Sequence, residues 1–136
     1  MKQQLTEEDR RALVAYRLER ARETMKEVPS HIEKGYYATA VNRLYYACYY
    51  ATVALLISEG LQSATHNGVK TLLGLHFVHT GKLDTKHGKT FTRLYELRQS
   101  GDYDDFVYCD KEMTDEYYPK AEAFILAVEE LINYSQ

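Results

Sequence analysis

At the end of a helical stretch, Arg98-Gln99-Ser100-Gly101-Asp102-Tyr103 brings a guanidinium, a carboxylate and a phenol into six residues. A guanidinium is a rigid fork of donors that matches phosphate oxygens, and a phenol ring stacks on a base or donates a hydrogen bond. Arg43 and Tyr46 repeat the pairing in "AVNRLYYACYYATVALL", residues 40–56, a segment with four tyrosines and one charge. Arg43, Tyr46, Arg98 and Tyr103 therefore form a candidate site for RNA or a nucleotide, with Asp102 placed to orient Arg98. The competing reading is local: Arg98 pairs with Asp102 or Asp104 only to finish its helix, an exposed ion pair of little energetic weight.

Other chemistries find less support. The glycines at 35, 60, 68, 74, 81, 88 and 101 never gather into a phosphate-cradling turn, so neither ATP binding nor a dinucleotide fold is expected. The Gly-Ser pair and spaced aspartates of a nucleotidyltransferase are missing as well. His66, His76, His79 and His87 lie in the middle of the chain, and His76 and His79 could share a helix face. No carboxylate or cysteine stands beside them at the spacing of a zinc or iron site, so no metal and no cofactor are expected. Cys48 sits in an apolar pattern and reads as a small core residue; two cysteines make no disulfide framework and favour a reducing compartment. No apolar run approaches the ~18 residues of a membrane span, and Met1 to Asp9 is polar. A cytoplasmic protein with no membrane association is the expectation.

These candidates need elements to hold them. A chain of 136 residues fits one domain, and residues 1–136 show no repeat, low-complexity segment or second unit. Thr6, followed by Glu7-Glu8-Asp9, caps a first helix whose apolar spacing runs from Glu7 to Val28, where Pro29 and Ser30 are expected to break it. A second helix starts between His31 and Tyr37 and ends at Gly60. It carries one stripe of Tyr37, Ala40, Val41, Leu44, Tyr45 and Cys48, and another of Arg43, Tyr46, Ala47, Tyr50 and Ala54. A helix apolar nearly all round is buried on more than one side. One tyrosine face thus fills the core while the other, with Tyr46, Tyr50 and Ala54, meets a partner.

After a polar loop at 61–65, a short third helix ends near Gly81, and a fourth element from Asp84 carries Phe91, Leu94, Tyr95 and Arg98 and stops by Gly101. "DYDDFVYCDKE" reads as a loop. Thr114 then caps a last helix with Pro119 in its first turn. The fold class is all-α, a four- to five-helix up-and-down bundle. Charge is uneven along it: residues 66–101 hold six basic and two acidic residues, net +4, whereas residues 102–136 hold two basic and ten acidic ones, net −8. The basic middle can attract phosphate or complement a neighbouring helix.

The blocks "NRLYYACYYATVALLISEG", "THNGVKTLLGLHFVHTGKLD" and "RLYELRQSGDYDDF", followed by an acidic amphipathic helix, resemble the HEPN superfamily (higher eukaryotes and prokaryotes nucleotide-binding) in its UPF0332-type branch, over about residues 7–132. The resemblance implies a helical bundle that forms a homodimer, with a cleft between protomers near the second helix and the end of the fourth element. It also implies a toxin-antitoxin setting in which the partner is a small nucleotidyltransferase, and, in active members, metal-independent cleavage of RNA. There an arginine holds the phosphate, and a histidine four to six residues on does acid-base chemistry on the 2′-hydroxyl. Arg98 matches that arginine, but Asp102 and Tyr103 stand where the histidine belongs, and no histidine follows His87. An aspartate is anionic at neutral pH and a poor general acid. The sequence therefore points to a module that binds nucleotide, RNA or a companion nucleotidyltransferase without the usual ribonuclease motif. The alternatives are a degenerate ribonuclease working through Arg98, Asp102 and Tyr103, and a noncatalytic interaction scaffold.

Overall fold

The computed structural model describes the backbone of residues 5–103 and 109–135 and the side chains of 5–98 and 109–133. Five α-helices follow one another: α1 (Glu7–Glu33), α2 (Tyr37–Ser58), α3 (His66–Leu73), α4 (Thr85–Tyr103) and α5 (Lys111–Ser135), with one π-helical turn (Gly74–Val78) continuing α3. No strand occurs among the described residues, so the all-α class holds. No helix among them is long and apolar enough to cross a membrane.

Helix α2 is the centre, packing against α1, α3, α4 and α5. Eleven of its residues are buried, including Leu44, Tyr45, Cys48, Leu55 and the small Ala47, Ala51 and Ala54. Helix α1 runs antiparallel to it. The Arg10 guanidinium near the start of α1 donates to the Ile57 carbonyl at the end of α2 (2.8 Å), while Arg20 lies over the Tyr50 ring further along. Phe91 of α4 and Phe124 of α5 close the core, their ring centroids 5.8 Å apart.

Helix boundaries depart from expectation where packing overrides local signals. Pro29 does not end α1, which continues to Glu33. A proline deletes one ladder bond and crowds the previous turn. Here Val28 is buried and Ile32 packs on the same core, so both flanks of the exposed proline are tied down. The chain turns instead at Gly35, whose φ of 79° suits glycine. At the other end, Asp110 and not Thr114 caps α5: its carboxylate accepts from the Met113 amide (2.9 Å), and Thr114 is fully buried with its hydroxyl donating to the Lys111 carbonyl. Pro119 consequently lies well inside α5. Helix α4 runs to Tyr103, past Gly101; the aspartates and aromatics of 104–108, expected as loop, lie outside the described residues.

The start of α3 is held tightly. Thr65 Oγ1 accepts from the Gly68 amide (2.9 Å), a side-chain cap that orders the first turn. A Cβ at Gly68 would overlap Ser63 Oγ and approach Thr65 Oγ1 to 2.8 Å. Gly68→Ala is therefore expected to push the 63–65 loop off this turn and cost about 1–3 kcal/mol, as other overpacking does, measurable by denaturant unfolding. Gly74→Ala, with nothing within 4 Å of the new atom, is the control.

His87 is a second testable point. It is 8 % exposed, edge-on to Phe124, with Lys86 and Asp84 beside it on its own segment, Tyr117 and Lys120 across from α5, and Lys82 and Glu130 on its other side. Burial first, then the Lys86 charge, lowers its pKa, opposed by Asp84. A lowered folded value means the unfolded chain binds the proton more readily. The stability His87 confers is thus complete above the unfolded value of about 6.5 and is lost as pH falls through the folded one. Thermal melts between pH 7 and pH 5 should show a steeper loss for the wild type than for His87→Gln.

Candidate functional site

The helical repeat of α2 stacks its tyrosines in two adjoining rows, Tyr45 with Tyr49 and Tyr46 with Tyr50. Tyr45 is fully buried; the other three are half-buried against the core. Tyr45 and Tyr46 meet edge to face at 5.2 Å, and Tyr46 lies 6.1 Å from both Tyr49 and Tyr50, geometries that aromatic quadrupoles favour.

Guanidinium groups gather on this ladder from three helices. Arg98 of α4 lies 5.8 Å from the Tyr45 ring centre and 5.7 Å from that of Tyr46, and its Nη2 donates to the Tyr46 hydroxyl (3.1 Å). Arg43 sits over the same Tyr46 ring at 5.2 Å while bonding to Asn42 Oδ1 beside it. From α1, Arg20 covers Tyr50 at 5.5 Å. Arg17 acts electrostatically on Tyr49, and its buried Nε meets no hydrogen-bond acceptor among the described residues. A cation over an aromatic face is attracted by the ring quadrupole, more strongly as water is excluded.

His66 completes the cluster from the first position of α3. Its Nδ1 shares a 2.8 Å hydrogen bond with the Tyr45 hydroxyl, the donor set by the tautomer, and its ring stacks on Tyr49 at 4.4 Å. The imidazole and the Arg98 guanidinium therefore rest on the same two rings, since His66 also lies 5.8 Å from both Tyr45 and Tyr46. Burial pushes the Tyr45 phenol well above the ordinary tyrosine range, only partly opposed by Arg98, and raises Tyr49 against the pull of Arg17. Both phenols stay protonated at physiological pH, and the arginines bring positive charge to the cluster.

Of the residues singled out in the sequence, Arg43, Tyr46 and Arg98 meet in one place. Tyr103 ends α4 and Asp102 precedes it, but both side chains lie outside the described residues. Tyr50 is half-buried beside Arg20. Ala54 is enclosed completely by the chain's own helices, so the small residues of α2 make room within the bundle. Tyr45, Tyr49, His66, Arg17 and Arg20 were not legible as site residues. One trace existed: Arg10, Arg17 and Thr24 recur every seven residues beside the apolar stripe of α1, the mark of polar groups facing a neighbouring helix. Burial raises the thiol pKa of Cys48 strongly, and burial with Asp110 raises that of Cys109, leaving neither activated. Among the described residues no three His, Cys, Asp or Glu gather in a metal-binding arrangement.

Comparison with known proteins agrees with this architecture. The HEPN domain family model matches residues 14–131. A UPF0332 protein of Thermotoga maritima is 36 % identical over 124 residues, covering 91 % of this chain and 94 % of that protein. Two Methanocaldococcus jannaschii proteins, both named "Putative toxin", are 33 % identical over 99 residues and 27 % over 108 residues. The first alignment covers 73 % of this chain and 74 % of the relative, the second 79 % and 74 %. With the family matched over nearly all of its helices and a relative this similar along its whole length, the chain belongs to the HEPN family, among its UPF0332 proteins.

Proposed function

We propose that this chain is the toxin-type member of a two-component pair, an RNA-binding HEPN module that grips phosphate with Arg98 on the tyrosine ladder of α2. The observation that carries the reading is the Arg98 guanidinium laid over Tyr45 and Tyr46 and bonded to the Tyr46 hydroxyl. A guanidinium already ordered on an aromatic face loses little conformational freedom when it takes a phosphate, and half-buried phenol rings beside it offer a surface on which a base can stack. Arg43 adds a second cation at Tyr46, and Tyr103 follows at the end of α4. The half-buried edge formed by Tyr46 and Tyr50 is the surface on which a second copy forms the homodimer, and a small nucleotidyltransferase is the companion expected for the pair.

A second reading, cleavage of the bound RNA, is favoured by one observation: His66, clasped by Tyr45 and Tyr49, shares its rings with Arg98. An imidazole titrates near neutrality and suits proton transfer at a phosphodiester. In that reading His66 takes the 2′-hydroxyl proton as the oxygen attacks phosphorus, and the 5′-oxygen leaves with a proton from solvent, giving a 2′,3′-cyclic phosphate. Asp102 and Tyr103 are then dispensable for the chemistry.

Both readings are tested with a panel of labelled RNAs in chelator, scored for retention and for cleavage. Arg98→Ala is expected to weaken retention about 10- to 100-fold, the equivalent of one charge-assisted contact of roughly 1.5–3 kcal/mol, with Arg98→Lys recovering part of it. Unchanged affinity in a folded Arg98→Ala protein rejects the site. For His66→Ala, loss of cleavage with retention intact supports catalysis, while a wild type that retains RNA without cutting it leaves the binding module alone. Light scattering of the same preparations should give a dimer, and a strict monomer removes the homodimer from the proposal.

A further inference from the structure

Away from the tyrosine ladder, two cavities flank the outward face of α4. The first, about 380 Å³, opens between the α3 segment and α4: Leu73, Val78 and Phe91 line it, with Lys70, Lys89, Arg93 and Glu96 as its charged residues. The second, about 390 Å³, opens between α4 and α5, with Lys86, His87 and Thr90 on one wall and Tyr117 and Lys120 on the other. Lys89 borders both. Each falls in the lower part of the size range of small-ligand sites.

Only some of the cations here are matched by neighbouring carboxylates. Arg93 pairs with Glu96 and Lys120 with Glu116, yet Lys86 and Lys89, one helical turn apart, form no ion pair among the described residues. Lys70 and Lys82 likewise pair with no acid there; their ammonium groups lie 4.9 Å from the Tyr95 ring and 5.8 Å from the Phe77 ring. A chain of formal charge −3 thus carries a positive strip along one helix, bounded on both sides by apolar and aromatic recesses. Gly88 sits between the two lysines. A Cβ there would come within 3.0 Å of Val78 on the facing π-helical turn, so the glycine lets α4 pack closely beneath the strip.

We propose that this strip is a second binding site, separate from the Arg98 cluster, for single-stranded nucleic acid: phosphates rest on Lys86 and Lys89, and a base enters the cavity on either side. It rests on the reading of this chain as an RNA-binding module. The site is dominated by unpaired ammonium charge and apolar or aromatic faces, with Thr85, Thr90, Thr92, His87 and the Arg93-paired Glu96 as its other polar groups. That combination suits a strand of stacked bases and phosphates, which needs no hydrogen-bond readout. An acidic peptide would bring backbone amides and carbonyls to a helix surface whose own backbone groups are already bonded within α4, leaving them unmatched. A ligand spanning both recesses also crosses the lysine pair, which places its charge between two apolar groups as a polynucleotide does.

The test uses the full chain and a fluorescent oligouridine of about a dozen residues, titrated at several salt concentrations. Lys86→Gln/Lys89→Gln alters exposed side chains and should leave the melting temperature unchanged. It should lower the slope of log affinity against log salt by about 1.4, two single-strand contacts of about 0.7 each. Tyr117→Leu should weaken oligouridine several-fold while leaving inorganic polyphosphate, which has no bases, unaffected. If Arg98→Ala weakens the RNA but the double lysine variant changes neither affinity nor salt slope, the second site is rejected and the first stands. A lysine effect with an unchanged Arg98→Ala rejects the first and keeps the second. Equal losses of oligouridine and polyphosphate in Tyr117→Leu, or displacement of the RNA by poly-glutamate at matched charge concentration, would overturn the assignment to nucleic acid.

Discussion

Helix α2 has one charged residue, Arg43, among 22, and it has to be surrounded. A helix without a polar face gains nothing by lying on a surface; it is stable only as the axis that other helices cover. Covering it creates a difficulty, because five of its side chains are phenols and four of them, Tyr45, Tyr46, Tyr49 and Tyr50, crowd into two turns. An unpaired hydroxyl taken out of water costs about 1–3 kcal/mol, which would erode the gain from burying its ring. The observed solution is for the neighbouring helices to bring polar groups to the tyrosines. Tyr45, the deepest, has His66; Tyr46 has Arg98; Tyr49 and Tyr50 have α1 arginines close by.

The same arrangement that satisfies the core creates the charge of the site. Each cationic or imidazole group that a neighbouring helix brings to the ladder is placed by a helix with its own structural reason to be there. Helix α1 packs along the full length of α2, α3 begins at the Thr65 cap, and α4 packs through Phe91 and Leu94. The arginines therefore converge without a dedicated loop. Their fields then act back on the phenols, moderating the rise that burial alone imposes on Tyr45 and Tyr49. Core and site are one set of contacts seen from two sides, so a substitution in the ladder is expected to touch both stability and binding.

How much of this could be read from residues alone depends on the range of the interaction. The existence of α2, its end before Gly60 and its burial all round follow from a 3.6-residue pattern and a glycine at positive φ, both local signals. Local signals misled at Pro29, because the core contacts of Val28 and Ile32 carry α1 onward, and at Thr114, which is buried while Asp110 does the capping. Arg43, Tyr46 and Arg98 could be paired by residue type before their contact was seen. His66 could not: it was one of several histidines with no ligand spacing, and its role comes from packing onto residues 21 and 17 positions earlier. Ala54 shows the reverse error of range. Expected on the face that meets a partner, it is enclosed by the chain's own helices.

The distribution of carboxylates explains why an acidic protein presents positive surfaces. On α1, Glu7 lies near Arg10 and Arg11, and Glu23 pairs with Arg20. On α5, Asp115 and Glu116 pair with Lys111 and Lys120 within the helix, and Glu129 reaches across to Arg22. Most described acids are thus tied to the α1 and α5 sides of the bundle, the latter in the part of the chain with net charge −8. Helix α4 carries Lys86, Lys89 and Arg93 in its first half against Glu96 alone among the described side chains, which leaves an excess of cations over the cavities. Salt screens such a field over about 8–10 Å at physiological strength, so the negative helices weaken its long-range reach more than its strength at contact. Cations displayed beside acidic helices attract an anion only at close range, a condition that a flexible polyanion meets more readily than a folded acidic surface.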